Sequence, residues 1–206
     1  MKRTNTPCAK VVLRMKRDSR YLMSDFPSEW KDKSFHDVDI SEARRKTLTR
    51  LFSAQKNGKW FYLSGPFNRG KSNILACFAN DFAEKSNSTV AFADTAKLID
   101  RLRGDSIKNK EAFSQAMKEL VEVPLLVLDG FGNEYKSDFA FSTVLFPLLG
   151  ERARAKKLTL FASDFSYDEI ASMYVSSVGA PRANQLVALI HSMCGKEAVL
   201  DALNVY

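Results

Sequence analysis

Residues 65 to 72 read Gly65-Pro66-Phe67-Asn68-Arg69-Gly70-Lys71-Ser72, a match to GxxxxGK[ST]. Those residue types at that spacing suit one chemistry, the binding of a chain of phosphates. Backbone N–H groups of such a loop converge on the anion, and the positive end of a following helix adds to the field. Lys71 would reach the β- and γ-phosphates, and the Ser72 hydroxyl would join a magnesium shell. Asn68 stands where glycine is frequent, and asparagine is among the few residues that tolerate positive φ. The second candidate is Asp129, which ends the apolar run Leu125-Leu126-Val127-Leu128. An acid at the carboxyl end of a buried strand can hold the metal opposite the phosphates. The expected cofactors are therefore a nucleotide with β- and γ-phosphates and Mg2+. All eight loop residues are the expected nucleotide ligands, Ser72 and Asp129 the metal ligands, and Lys71 and Asp129 catalytic candidates. Many ATPases of this plan place a second carboxylate directly after the first to polarise the attacking water. Here that position is Gly130, and Glu134 could substitute only through an unusual loop path.

These residues need elements to hold them. Lys59–Ser64 reads as a strand and residues 71–85 as a helix with Ile74, Leu75, Phe78 and Phe82 on one face, which is the context the phosphate motif requires. Strands are also expected at Thr89–Ala93, Leu125–Asp129, Leu158–Ser163 and Glu197–Asp201. Helices are expected at Ser41–Gln55, Thr95–Arg103, Asn109–Val121, Ser137–Arg154 (kinked at Pro147), Ser166–Tyr174 and Arg182–Cys194. Gly179-Ala180-Pro181 reads as a mobile loop. Strands alternating with helices predict an α/β fold with a parallel, five-stranded sheet flanked by helices.

The chain has 206 residues, 45% hydrophobic and 27% charged, which suits a domain with a real core and excludes the disordered and fibrous classes. No apolar run is long enough to span a membrane and no signal peptide is evident. Three scattered cysteines (Cys8, Cys77, Cys194) suit neither a disulfide framework nor a zinc site and fit a reducing cytoplasm. The net charge of +7 is concentrated at the start, where residues 1–20 hold seven Lys or Arg against Asp18 alone. The expected organisation is a basic arm over 1–35 and a nucleotide-binding domain over 36–206. The arm is either an electrostatic handle for nucleic acid or an acidic partner, a solvated leader, or the stub of a further domain.

From about Tyr21 onward the sequence resembles the AAA+ domain of bacterial primosomal helicase loaders of the DnaI type, related to DnaC. The residues that carry the resemblance are YLMSDFPSEW and SFHDVDI before the core, KWFYLSGPFNRGKSNILACFANDFAEK, LLVLDGFGNE, STVLFPLLGERARAKKLTLFASDFSYDEI and the closing EAVLD. The resemblance implies a P-loop NTPase of AAA+ type, with the phosphate-loop strand central and a small or absent C-terminal lid. It implies an ATP-dependent primosome protein that binds the replicative DNA helicase and helps place it on single-stranded DNA in replication initiation or restart. Self-association is left open. The 95–121 helices occupy the place of an insertion associated with DNA contact, where Lys97, Arg101, Arg103, Lys108 and Lys110 are available; a solvated helix face is the equal alternative.

Several positions depart from the family pattern. Asp129-Gly130 replaces a pair of aspartates. The polar sensor, usually asparagine, is Asp164, a weak catalytic candidate. Gln185, Leu189 and His191 stand where arginines for a neighbouring subunit are usual. Binding residues are thus present and the hydrolytic set is eroded, so ATP binding with weak hydrolysis is expected. The rival readings are an ATP-binding transposition helper of the same fold, a small-molecule kinase, and a non-hydrolysing P-loop interaction module.

Overall fold

Along strand β4 (Leu125–Asp129), Leu126 and Leu128 face one apolar cluster while Leu125 and Val127 face another. Every one of these four side chains is buried, as expected of a parallel strand covered on both faces. The same alternation recurs in β2 (Phe61–Ser64), β3 (Val90–Asp94) and β5 (Leu158–Ser163). In β2, for example, Tyr62 faces one cluster and Phe61 and Leu63 the other. The computed structural model describes residues 21, 22, 25, 30, 31, 33–37 and 41–200. Residues 1–20, the strongly basic part of the arm expected over 1–35, lie outside the described residues.

With β1 at Tyr21–Leu22 and β6 at Ala198–Val199, all described strands are parallel, in the order β1-β3-β4-β5-β2-β6. The five expected strands are present, and the two-residue β1 (Tyr21–Leu22) adds a sixth at the β3 edge. The phosphate-loop strand β2 lies between β5 and the two-residue β6 (Ala198–Val199), one place from the sheet edge rather than central. This offset puts the carboxyl ends of β2, β5 and β4 side by side, which is what brings the loop and Asp129 together.

Helices α1 (Glu42–Lys56) and α2 (Lys71–Ser86) cover one face. The other face carries α3 (Thr95–Lys108), α4 (Lys110–Glu122), α5 (Phe146–Arg154), α6 (Tyr167–Val178) and α7 (Ala180–Cys194). Ser41 caps α1 by accepting from the Arg44 N–H, and Ser166 with Glu169 forms a reciprocal capping box on α6.

Two expectations are corrected. The helix expected to kink at Pro147 is instead π-helical over Phe139–Leu145, and Pro147 falls in the first turn of α5, where its missing N–H is tolerated. Gly179-Ala180-Pro181 is no loop. Gly179, at φ 81°, both ends α6 and caps α7, and Pro181 opens α7. A single glycine in the left-handed region suffices to turn the chain there.

Arg152 is fully buried. It donates to the carbonyls of Leu120 (2.6 Å) and Val123 (2.9 Å) and to the Thr159 hydroxyl (2.9 Å), tying α5 to the end of α4 and to β5. Among the described residues no helix is long and apolar enough to cross a membrane.

Candidate nucleotide site

The loop after β2 is built from backbone that few residues can adopt. Gly65 has φ 140°, and a Cβ there would stand 2.4 Å from the carbonyl oxygen of Leu200. Asn68 takes φ 58° and Gly70 takes φ 83°, so asparagine fills its positive-φ position as the sequence reading requires. Gly70 also caps α2, which points its N-terminus into the loop. Around this loop lies a cavity of about 430 Å³ that collects residues from four strand ends. The expected loop residues Phe67 to Ser72 line it, with Asp129 from β4 and Asp164 from the end of β5. Gly65 and Pro66 instead present their carbonyl oxygens to Lys71. Phe67 is the outlier of the set, with 83% of its surface exposed.

Lys71 is buried and all three of its ammonium hydrogens have acceptors. Its Nζ lies 2.7 Å from the Gly65 oxygen, 2.8 Å from the Pro66 oxygen and 2.6 Å from Asp164 Oδ1. The ammonium expected to reach phosphates is thus paired with the carboxylate at the sensor position.

Ser72 donates its hydroxyl hydrogen to Asp129 Oδ1 across 2.7 Å, which joins the two expected metal ligands directly. Burial pushes the Asp129 carboxyl above its ordinary value; the Ser72 hydrogen bond opposes this, and the neighbouring Asp94 adds to it. Asp94 is the register partner of Asp129 on β3 and caps α3 through the Lys97 N–H at 3.1 Å. A hydroxyl and a carboxylate at a phosphate loop are the all-oxygen donor set that a hard cation takes when phosphates and water complete its shell. Ser72 and Asp129 would hold a magnesium ion there, whose chemistry would be to neutralise phosphate charge. Among the described residues no cluster of three or more His, Cys, Asp or Glu forms a separate metal site.

The turn after Asp129 explains the missing second carboxylate. Gly130 sits at φ 63°, and the Asn133 N–H bonds back to its carbonyl at 2.9 Å. A side chain at 130 would be strained and would crowd the Asn133 amide at 3.3 Å. Glu134 cannot replace it. Only 2% exposed, it accepts from the Tyr174 hydroxyl at 2.7 Å and the Gly132 N–H at 2.9 Å, with Lys136 Nζ at 3.7 Å. Its carboxylate faces α6, and it is absent from the cavity lining.

The other positions singled out in the sequence lie away from the cavity. Gln185 and His191 are exposed on α7 and Leu189 packs on the core, with the His191 ring edge-on to Tyr167. Lys97, Arg101, Lys108 and Lys110 are exposed on α3 and at the start of α4. Arg103 is not free for a partner: it donates to Ser137 Oγ at 2.8 Å and lies over the Phe139 ring. Sequence reasoning missed Asp94, Asn133, Trp30 and Lys33, which also line the cavity. Asp94 carried a signal, being an acid that ends an apolar strand and precedes a helix, as an N-cap does. Trp30 and Lys33 carried none, since Asn80 of α2 places them by donating to both their carbonyls at 2.8 and 2.7 Å.

No family model matches the chain. The replicative helicase loader DnaI of Bacillus subtilis (strain 168) is 27% identical over 151 residues, which cover 70% of this chain and 48% of that protein. The chain spans about half the length of the curated relative it matches. A crystal structure of DnaI superimposes with a TM-score of 0.75 at 23% identity, over 89% of this chain and 98% of that one. The DnaC helicase loader superimposes with a TM-score of 0.68 at 21% identity, over 84% and 98%. The replication initiator DnaA bound to AMPPCP and single-stranded DNA gives 0.66 at 14% identity, over 86% and 51%. At such identities the solved structures establish the fold, and the sequence relative adds the direction of the resemblance. The chain has the fold of these solved structures and resembles, in sequence and in architecture, the DnaI and DnaC type of helicase loader.

Proposed function

We propose that this chain binds ATP with Mg2+ at the Gly65–Ser72 loop and serves as a loader of the replicative DNA helicase, helping to place that hexamer on single-stranded DNA. The observation that carries the reading is the convergence of Lys71, Ser72, Asp129 and Asp164 on one cavity, in a chain whose sequence is similar to a helicase loader. Lys71 and the loop amides bind the phosphates, and Ser72 and Asp129 position the metal. Hydrolysis is weak in this reading because the position after Asp129 is Gly130 and the Glu134 carboxylate faces α6 instead of the cavity. In this reading ATP acts mainly as a conformational ligand, and the protein works in the cytoplasm. The basic arm over 1–35 and the exposed lysines and arginine of α3 are the candidate contacts to single-stranded DNA, ahead of the AAA+ domain over 36–206.

The test is a pull-down from native extract with tagged chain, with and without ATP. Recovery of the hexameric helicase in the presence of ATP, and its loss in Lys71→Ala, is expected. If no helicase is recovered under either condition while ATP still binds in calorimetry, the loader reading fails and only the nucleotide reading stands.

A further inference from the structure

A phosphate-loop lysine is useful because its ammonium is available to an incoming anion. Here it already has one. Asp164 Oδ1 lies 2.6 Å from Lys71 Nζ, and the two side chains are 26% and 7% exposed, so water screens the pair little. Two loop carbonyls take the remaining ammonium hydrogens. Any phosphate that engages Lys71 must therefore displace either a neutral carbonyl or this carboxylate.

Asp164 is held where it is. The preceding residue, Ser163, donates its hydroxyl to the Phe131 carbonyl at 2.7 Å and accepts from the Phe165 N–H at 3.0 Å. The Phe165 carbonyl in turn accepts from the Tyr62 hydroxyl at 2.9 Å. Phe165 also packs against Gly132, where a Cβ would come within 2.7 Å of its ring. The backbone on both sides of Asp164 is thus fixed to β2 and to the turn after Asp129, so its carboxylate projects from an anchored position beside Lys71.

We propose that Asp164 is a specificity-determining residue of this site: by holding Lys71 in the place of a terminal phosphate, it makes the isolated protein take nucleoside diphosphates in preference to triphosphates. The inference rests on the nucleotide reading above and deepens it. A diphosphate can be cradled by the loop amides and the N-terminus of α2 while Lys71 gives up only a carbonyl. A triphosphate adds negative charge at the lysine, beside the Asp164 carboxylate, and like charges brought together in a poorly screened site disfavour binding. An uncharged side chain of the same shape would remove the repulsion and could donate a hydrogen bond to the terminal phosphate.

The experiment is calorimetric titration of Mg·ADP and Mg·ATP into the full chain, wild type and Asp164→Asn, at fixed salt and pH, with Lys71→Ala as the control for the site. Asp164→Ser serves as the second neutral variant, and a thermal melt of each apo protein reports whether it is folded. The expected result is tighter ADP than ATP binding in the wild type. Either neutral variant should raise ATP affinity tenfold or more and ADP affinity less than threefold. Equal effects on the two nucleotides, or no effect, in a folded variant would overturn the inference while leaving the nucleotide reading intact. Absence of binding by either nucleotide to wild type and variants alike would overturn both.

Discussion

Tyr174 donates its hydroxyl hydrogen to Oε1 of Glu134 across 2.7 Å, and both side chains are buried. Burial and the adjacent carboxylate push the tyrosine pKa far up, so the hydroxyl keeps its hydrogen for this bond at any working pH. The pair fastens the turn that follows Asp129 to the middle of α6. Tyr174→Phe leaves a buried carboxylate short of one donor, an unmet need that costs roughly 1–3 kcal/mol. Equilibrium denaturant unfolding should show that loss as a lower midpoint at unchanged slope. A midpoint equal to wild type would show that the carboxylate finds another donor.

Nucleotide affinity should depend on the two adjacent loop residues. Lys71→Ala removes the ammonium, and Ser72→Ala removes the hydroxyl that bonds Asp129. Each is expected to weaken Mg·ATP binding at least tenfold, about 1.4 kcal/mol, with the fold intact by circular dichroism. Unchanged affinity in both variants would remove the loop from the proposal.

Acid should act through Asp129. Its folded carboxyl binds a proton more tightly than the ordinary value of 3.8 allows, because burial disfavours the charged form. The folded state holds the extra proton, so this group's contribution to apo stability is lost as pH rises from 3.8 through the raised folded value. Metal binding runs the other way, since it needs the carboxylate. Mg2+-dependent nucleotide binding is therefore expected to weaken on acidification at a higher pH than an exposed aspartate would give. Asp129→Asn should lower the metal dependence and abolish this part of the pH profile, both readable by titration from neutral to mildly acidic buffer.

Hydrolysis should be slow in the isolated protein. Gly130 is held at φ 63°, Glu134 is turned toward α6, and Asp164 is occupied with Lys71. Single-turnover measurement is expected to give a rate far below one per second, and Glu134→Gln should leave that rate unchanged. A rate near one per second, lost in Glu134→Gln, would mean that this residue leaves its seat during turnover. Stimulation only on adding the helicase would show that the partner supplies the missing groups, as a donated arginine can by a thousandfold or more.

The parts legible in the sequence were those written in neighbouring residues. LLVLD and LTLFAS are apolar without interruption, which two covered faces demand, and both are strands. The phosphate loop was legible for the same reason, because its backbone conformation depends on a local run of glycine and asparagine. Long-range pairings were not. Lys71 and Asp164 are 93 positions apart, and nothing near either one announces the other. Arg152 sits in GERARAK, at the end of the helix expected over Ser137–Arg154, and nothing local marks it as fully buried among carbonyls. Glu134 could serve beside Asp129 only through an unusual loop path, and where it goes instead is set by Tyr174 of α6, far along the chain. The glycine at 179 read as a loop because a glycine that joins two helices and one that opens a loop look the same in sequence.

The close approach of Gly65 to the Leu200 carbonyl bears on when the anion cradle comes into being. The Leu200 N–H also reaches back to the Ser64 carbonyl at 2.8 Å, so the start of the loop is braced by the residue that follows β6. Joining segments so distant along the chain carries a closure entropy that only the folded sheet repays. The cradle in its finished form thus includes the closed edge of the sheet. A nucleotide that needs this cradle stabilises the folded state by mass action. Occupancy of the site therefore favours molecules in which that edge is closed.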